Sequence, residues 1–297
     1  MMWDDEVDVV CTGAGAAGLA NALAVADLDA EVFIADAADT ATAGRTWLEV
    51  AGGDPETSHY FTELAADLGP LRRKSVDPSI PVREVPSTAG SDSGRTIAPF
   101  VGARLREWAA RCLATPYGFL STRLPDWQTT VRTADGEILE VSELGTLTIG
   151  SGDAEAAVRD WLTARIAQEG IEVHRGHTLQ RLVFEEGVAV GAVFDTPDGP
   201  WAVRARHGVT VTGGAAPLPG SAAHRLPADA TVRLCVVGQR ASRFGRLELL
   251  TSDPLEPTVP VTCRARDRRL VVNLHDTHRG LQTWRCAKID RYPSLGE

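Results

Sequence analysis

The sequence predicts an α/β protein with a parallel sheet, helices packed on it, a β-meander, and a small β-rich appendage at the C-terminus. Three observations predict it. Short apolar runs end in glycine or aspartate, as buried parallel strands do. Stretches with apolar residues three and four apart alternate with them, as amphipathic helices do. Between Leu179 and Arg206 three β-prone runs are separated by Glu186-Gly187 and Asp198-Gly199, the signature of tight hairpins.

Taken in order, Val7–Thr12 (VDVVCT) is the first strand, and a glycine cluster follows it at once. Leu19–Ala26 is rich in alanine and leucine and therefore helix-prone. Glu31–Ala35 (EVFIA) is a second strand closing on Asp36. Residues 54–69 place Tyr60, Phe61, Leu64, Ala65 and Leu68 on one helical face, and Gly69 to Arg95 reads as a long loop. Val101, Leu105, Trp108 and Cys112 mark another helix. Short strands at Thr130–Arg132 and Ile138–Val141 flank an Asp135-Gly136 turn. Asp153 is the expected N-cap of a helix buried through Val158, Trp161, Leu162 and Ile166 and ended by Gly170. Ile171–His174 is a strand, the meander follows, and Gly208–Thr212 is one more apolar strand before Gly213-Gly214. Residues 1–214 are thus expected to form one domain, 215–230 a proline-rich linker, and 231–297 a basic appendage with β-prone runs at 231–237, 258–263 and 269–274.

Composition narrows the function. The 297 residues are 43% hydrophobic and 24% charged, ordinary for a globular chain. A net charge of −10 argues against nucleic acid or an anionic membrane as main partner. The charge is uneven: Arg264, Arg266, Arg268 and Arg269 crowd the C-terminal part, which can dock a protein partner or simply attract the acidic part before it. Cys11, Cys112, Cys235, Cys263 and Cys286 are scattered without metal-ligand spacing, as reduced structural thiols would be. No run of about 18 apolar residues occurs. The acidic start, Met1-Met2-Trp3-Asp4-Asp5-Glu6, is unlike a secretory leader, so the expected compartment is the cytoplasm. No metal site is expected: His275-Asp276-x-His278 reads as a polar turn, and His174 with His177 as a surface pair at a strand end.

The densest chemistry is Gly13-x-Gly15-x-x-Gly18. In this pattern Gly13 allows the tight turn out of the strand, Gly15 lets a pyrophosphate approach the backbone, and Gly18 lets the helix pack on the strand. The helix N-terminus, with Ala16 and Ala17 in its first turn, offers unpaired N–H groups and partial positive charge to phosphates. Asp36 lies eighteen residues past Gly18 at the end of the second strand, where a carboxylate accepts hydrogen bonds from ribose hydroxyls and disfavours a 2′-phosphate. Strand, turn, helix and acid together predict a Rossmann-like dinucleotide site.

On these residues the chain resembles the FAD-binding domain of the fumarate reductase and 3-ketosteroid dehydrogenase flavoproteins, from about Val7 to Gly214. Ala43-Gly44-Arg45-Thr46 with Gly52-Gly53 stands where that family has a Gly-Gly-x-Thr/Ser segment. Thr210-Val211-Thr212-Gly213-Gly214 is similar to its Ala-Thr-Gly-Gly strand. The resemblance implies FAD as cofactor, with Gly44, Arg45 and Thr46 near pyrophosphate and flavin. It also implies Thr178 and Leu179 at the adenine, and Thr212 and Gly213 beside the ADP moiety. The helix and meander between the strands favour FAD over NAD.

The chain also departs from that family. After Gly214 only 83 residues remain, too few for a substrate-binding cap and a returning flavin segment, and no matching Ala-Gly-Glu occurs in them. No catalytic acid or base is identified. Two functions therefore stand side by side. One is a reduced FAD-dependent oxidoreductase transferring hydride to or from a small or lipophilic substrate. The other is a non-catalytic flavin-binding regulatory or interaction protein whose basic C-terminal region docks a partner.

Overall fold

The computed structural model describes residues 2–37, 54–66, 79–86, 101–127, 129–134, 136–150, 154–212, 226, 229–253 and 255. In chain order these form β1 (Asp5–Cys11), α1 (Ala16–Ala26), β2 (Val32–Asp36), α2 (Pro55–Ala66), β3 (Val82–Glu84), α3 (Val101–Leu113) and β4 (Gly118–Ser121). Then come β5 (Thr129–Arg132), β6 (Ile138–Ile149), α4 (Ala154–Gln168), β7 (Val173–Arg175), β8 (Thr178–Glu185), β9 (Val188–Thr196), β10 (Gly199–Thr212), β11 (Ala230–Gly238) and β12 (Phe244–Thr251).

All twelve strands share one sheet, ordered β5-β6-β11-β12-β4-β10-β1-β2-β7, with β3 also on β12 and β8–β9 carried from β10. The stretch β10-β1-β2-β7 is parallel, and α1 makes the crossover between β1 and β2. This is the α/β, Rossmann-like core that the sequence predicts. The meander β8-β9-β10 is antiparallel, and its first turn, Glu186-Gly187, has φ of 52° and 77°, the positive pair that a two-residue hairpin demands.

Each face of the sheet has its own core. On one, Cys11, Ile34, Leu234, Leu247 and Leu249 meet Ala17, Leu19 and Leu23 of α1 and Val158, Leu162 and Ile166 of α4. The four-residue spacing in α4 is what puts those three on one stripe, and Gly170 follows at φ 67°. On the other face, Val10, Phe33, Leu120, Val211, Cys235 and Val237 meet Phe61 of α2, Trp108 and Cys112 of α3, and Leu182 and Phe194 of the meander.

Several expectations are corrected. Beyond the expected parallel strands and meander, the sheet is extended by β4, β6, β11 and β12, which pair antiparallel. No domain boundary separates residue 214 from 231: β11 and β12 lie at the centre of the sheet, between β6 and β4. Every residue of β12 is buried, so this segment is core and not an appendage. The described residues all belong to one unit, Met1–Thr258. Gly208–Thr212 is the end of the fourteen-residue β10, not a separate strand. The expected loop before Arg95 contains β3, and β6 runs on to Ile149. Strands β4 and β12 have no counterpart in the sequence-based expectation. Asp153 and the β-prone runs 258–263 and 269–274 lie outside the described residues.

Among the described residues no helix is long and apolar enough to cross a membrane.

Candidate functional site

β1 ends at Cys11, and the chain turns through Thr12–Gly15 into α1. The turn is held from beneath by β10. Thr12 Oγ1 accepts a hydrogen bond from the Thr212 N–H at 3.3 Å, and Thr212 Oγ1 donates to the Gly13 carbonyl at 3.4 Å. One helical turn on, Asn21 is buried with Oδ1 accepting from Thr210 Oγ1 at 2.8 Å. Helix, β1 and β10 are thereby fixed to one another by polar contacts inside an otherwise apolar layer. A Cβ on Gly18 would stand 1.8 Å from the Gly13 oxygen, so only glycine allows this approach of helix to turn.

The amino end of α1 is left open. Its N-cap is Gly15, at φ −66° and ψ 170°, with no side-chain cap, and no acidic residue occupies the first turn. The first intrahelical bond runs from the Leu19 N–H to the Gly15 carbonyl, so the amides of Ala16, Ala17 and Gly18 precede it and have no helical acceptor. A φ of −66° suits any residue, so backbone conformation does not explain glycine at position 15.

Asp36 ends β2. Ile34 pairs with Cys11, the last residue of β1, so Asp36 lies at the edge of the sheet from which the chain turns into α1. Among the described residues its carboxylate has no hydrogen bond or ion pair, while its carbonyl accepts from the His177 N–H at 3.2 Å. That bond brings Thr178, the first residue of β8, beside Asp36, and Leu179 follows in register with Phe194. Beneath them the His174 ring stacks on Phe33, centroids 4.1 Å apart and planes 8° apart, with His177 edge-on to both. Burial holds His174 below the ordinary imidazole value, against the opposing pull of Glu172. These histidines, a pair at the strand end, join β7 to the meander.

The structure therefore gathers Gly13, Gly15, Ala16, Ala17, Gly18, Asp36, Thr178 and Thr212 at one edge of the sheet, the carboxyl ends of β1, β2 and β10. The Thr212 side chain faces the turn rather than outward, as a buried support. Gly44, Arg45, Thr46 and Gly213 lie outside the described residues. Thr12, Thr210 and Asn21 were not foreseen; the one signal for them is an asparagine inside an alanine-leucine helix.

Nucleophilic cysteine chemistry has no support here. Burial pushes the Cys11, Cys112 and Cys235 thiols up to about 12, so they stay protonated at neutral pH. Cys263, Cys286, His275 and His278 lie outside the described residues, among which no cluster of three metal-ligating side chains occurs.

No family model and no curated protein matches the chain. Among solved structures it is similar to the open conformation of a flavocytochrome c3 fumarate reductase, 16% identical, TM-score 0.30, over 68% of this chain and 33% of that one. It is similar to 3-ketosteroid-Δ4-(5α)-dehydrogenase from Rhodococcus jostii RHA1, 21% identical, TM-score 0.31, over 70% and 46% respectively. A ternary complex of aklavinone-11 hydroxylase with FAD and aklavinone is 20% identical, TM-score 0.28, over 69% and 32%. The matched region spans a third to a half of the length of these proteins.

Proposed function

We propose that the chain binds FAD at the edge formed by the glycine turn and Asp36, and that it serves a flavin-dependent oxidoreductase reaction. The observation that carries the reading is an uncapped helix N-terminus following β1 and an unpartnered carboxylate ending the neighbouring strand β2. Those residues fit the cofactor. The amides of Ala16, Ala17 and Gly18 donate to its diphosphate, with the helix dipole adding favourable charge. Asp36 accepts from the adenosine ribose hydroxyls and repels a 2′-phosphate, which selects against NADP. Thr178 and Leu179 border the adenine end. When bound, FAD supplies a ring that accepts or gives a hydride.

The test is the absorbance spectrum of the purified full chain, with FAD added and then with dithionite. A flavin band that bleaches is expected. Asp36→Ala removes a charge-assisted acceptor and should weaken FAD by roughly ten- to a hundredfold, while Gly15→Val should abolish retention. Protein that stays colourless with added FAD, or variants that hold FAD as tightly as the parent, would overturn the reading.

A further inference from the structure

Where β2, β7 and the first strand of the meander meet, four rings pack together. His174 stacks on Phe33, and His177 stands edge-on to them at 5.5 and 5.8 Å and to Phe194 at 6.3 Å. The two imidazoles flank one tight turn. His174 pairs with Ala35 from β7, Gly176 turns at φ 74°, and His177 leads into β8. The His177 ring is tied back to that turn, with Nδ1 3.0 Å from the Arg175 carbonyl. Its backbone N–H donates to the Asp36 carbonyl. The rings therefore brace a backbone bond to the residue whose carboxylate edges the candidate site.

A joint built of imidazole differs from one built of phenyl because it can take up a proton. A proton on His174 places a charge on a side chain only 27% exposed and flat against Phe33. Burial disfavours that charge and outweighs the attraction of Glu172 and Asp5, while His177 opposes it too. Glu172 Oε1 lies 4.0 Å from the His174 Nδ1, but its side chain is 79% exposed, so solvent screens the pull. Phe33 returns some cation–π attraction, which is small beside water. Ala35 and Phe194 bring no charge, and the Asp36 side chain, one residue past Ala35, alternates to the other face of the sheet. A charged His174 is therefore better solvated outside the stack than within it.

We propose that the His174–His177 pair is a proton-operated latch on the dinucleotide edge: protonation of His174 opens the joint of β2, β7 and β8, frees the Asp36 segment, and loosens the cofactor in mild acid. The latch is a property of the chain by itself; that what it loosens is FAD rests on the reading above. A single proton can change affinity by at most about tenfold per pH unit.

Deuterium uptake over residues 171–180 of the flavin-free full chain reads the joint directly, with labelling times scaled to intrinsic exchange at each pH. Protection there should fall between pH 7.5 and pH 5 while β12 stays protected. FAD titrations at the same two pH values should show affinity lower by roughly fivefold or more in acid. His174→Phe should abolish both effects. Glu172→Gln, a change at an exposed side chain, should enlarge them, because it removes the nearest attraction that lets a charged ring stay in the stack. His59→Gln, which removes an exposed ring paired with Glu63, should leave them unchanged. Several results would overturn the latch: a joint equally protected in acid, an equal loss in His174→Phe, no enlargement in Glu172→Gln, or an opening that reaches β12 to the same degree. A joint that opens while FAD affinity stays flat would overturn its coupling to the site. Chain that takes up no FAD at pH 7.5 sinks the cofactor reading instead, and the uptake measurement still decides the latch.

Discussion

At Gly18 the difference between a hydrogen and a methyl group is large because the clash is with backbone. The Gly13 oxygen stands 1.8 Å from where a Cβ would be, and Thr212 Oγ1, which bonds that oxygen, is 3.4 Å away. Neither can swing aside as a flexible side chain could, so helix and turn must separate. Gly18→Ala should therefore lower stability by about 1–3 kcal/mol, read from the urea midpoint, and weaken FAD further by displacing the amides of α1. A variant as stable as the parent would show that the turn is softer than it looks. The residues of this site were unequally legible. Gly13, Gly15, Gly18 and Asp36 announce themselves by spacing within thirty residues of chain. Thr210 and Asn21 do not, because their bond joins positions 189 apart and a hydroxyl in a strand has no pattern of its own.

Between elements, the joint of β7 with the meander makes stability depend on pH. His174 is partly buried against Phe33, which disfavours its charged form and holds it below the ordinary 6.5. The unfolded chain therefore binds this proton more readily than the folded one. The contribution is complete above the ordinary value and falls away as pH drops from there through the lower folded-state value. His174→Phe should keep the stack and flatten that dependence, measured as urea midpoints between pH 7 and pH 5. A parallel decline in parent and variant would place the effect elsewhere, though not at Glu137, whose carboxyl Arg111 and Arg83 hold down at about 2 against the opposing effect of burial, so that its contribution falls away only below its ordinary 4.5. The same scale explains what sequence missed. β12 reads Phe-Gly-Arg-Leu-Glu-Leu-Leu-Thr, and Arg246 and Glu248 break the apolar run that marks a buried strand. They are buried because they pair with each other and with Arg83, and nothing local in the chain reports a partner on β3.

For the molecule as a whole, sheet order matters more than chain order. The α/β core with its crossover and meander was legible because consecutive elements build it. The other half was not, since β11 joins β6, β12 joins β4 and β3, and β4 joins β10, each pair far apart along the chain. A polar, proline-rich stretch before residue 231 resembles a linker whether or not the strands beyond it return to the same sheet. A fragment ending at Gly214 would strip β6 of β11 and β4 of β12, and by losing Leu234, Val236, Leu247 and Leu249 it would uncover Leu19 and Leu23 of α1 and Val158 and Leu162 of α4. It should show no cooperative thermal transition by circular dichroism; one that melts like the parent would restore the boundary.

The burial of β12 on both faces has a kinetic consequence. Its amides are screened by α3 on one side and by the α1 layer on the other, and they bond to β11, β4 and β3 along its length. No local fraying reaches them, so their deuterium uptake should track global unfolding while the amides of the outermost strands exchange first. A ligand seated several strands away, at the glycine turn, should slow that uptake as much as it stabilises the whole protein.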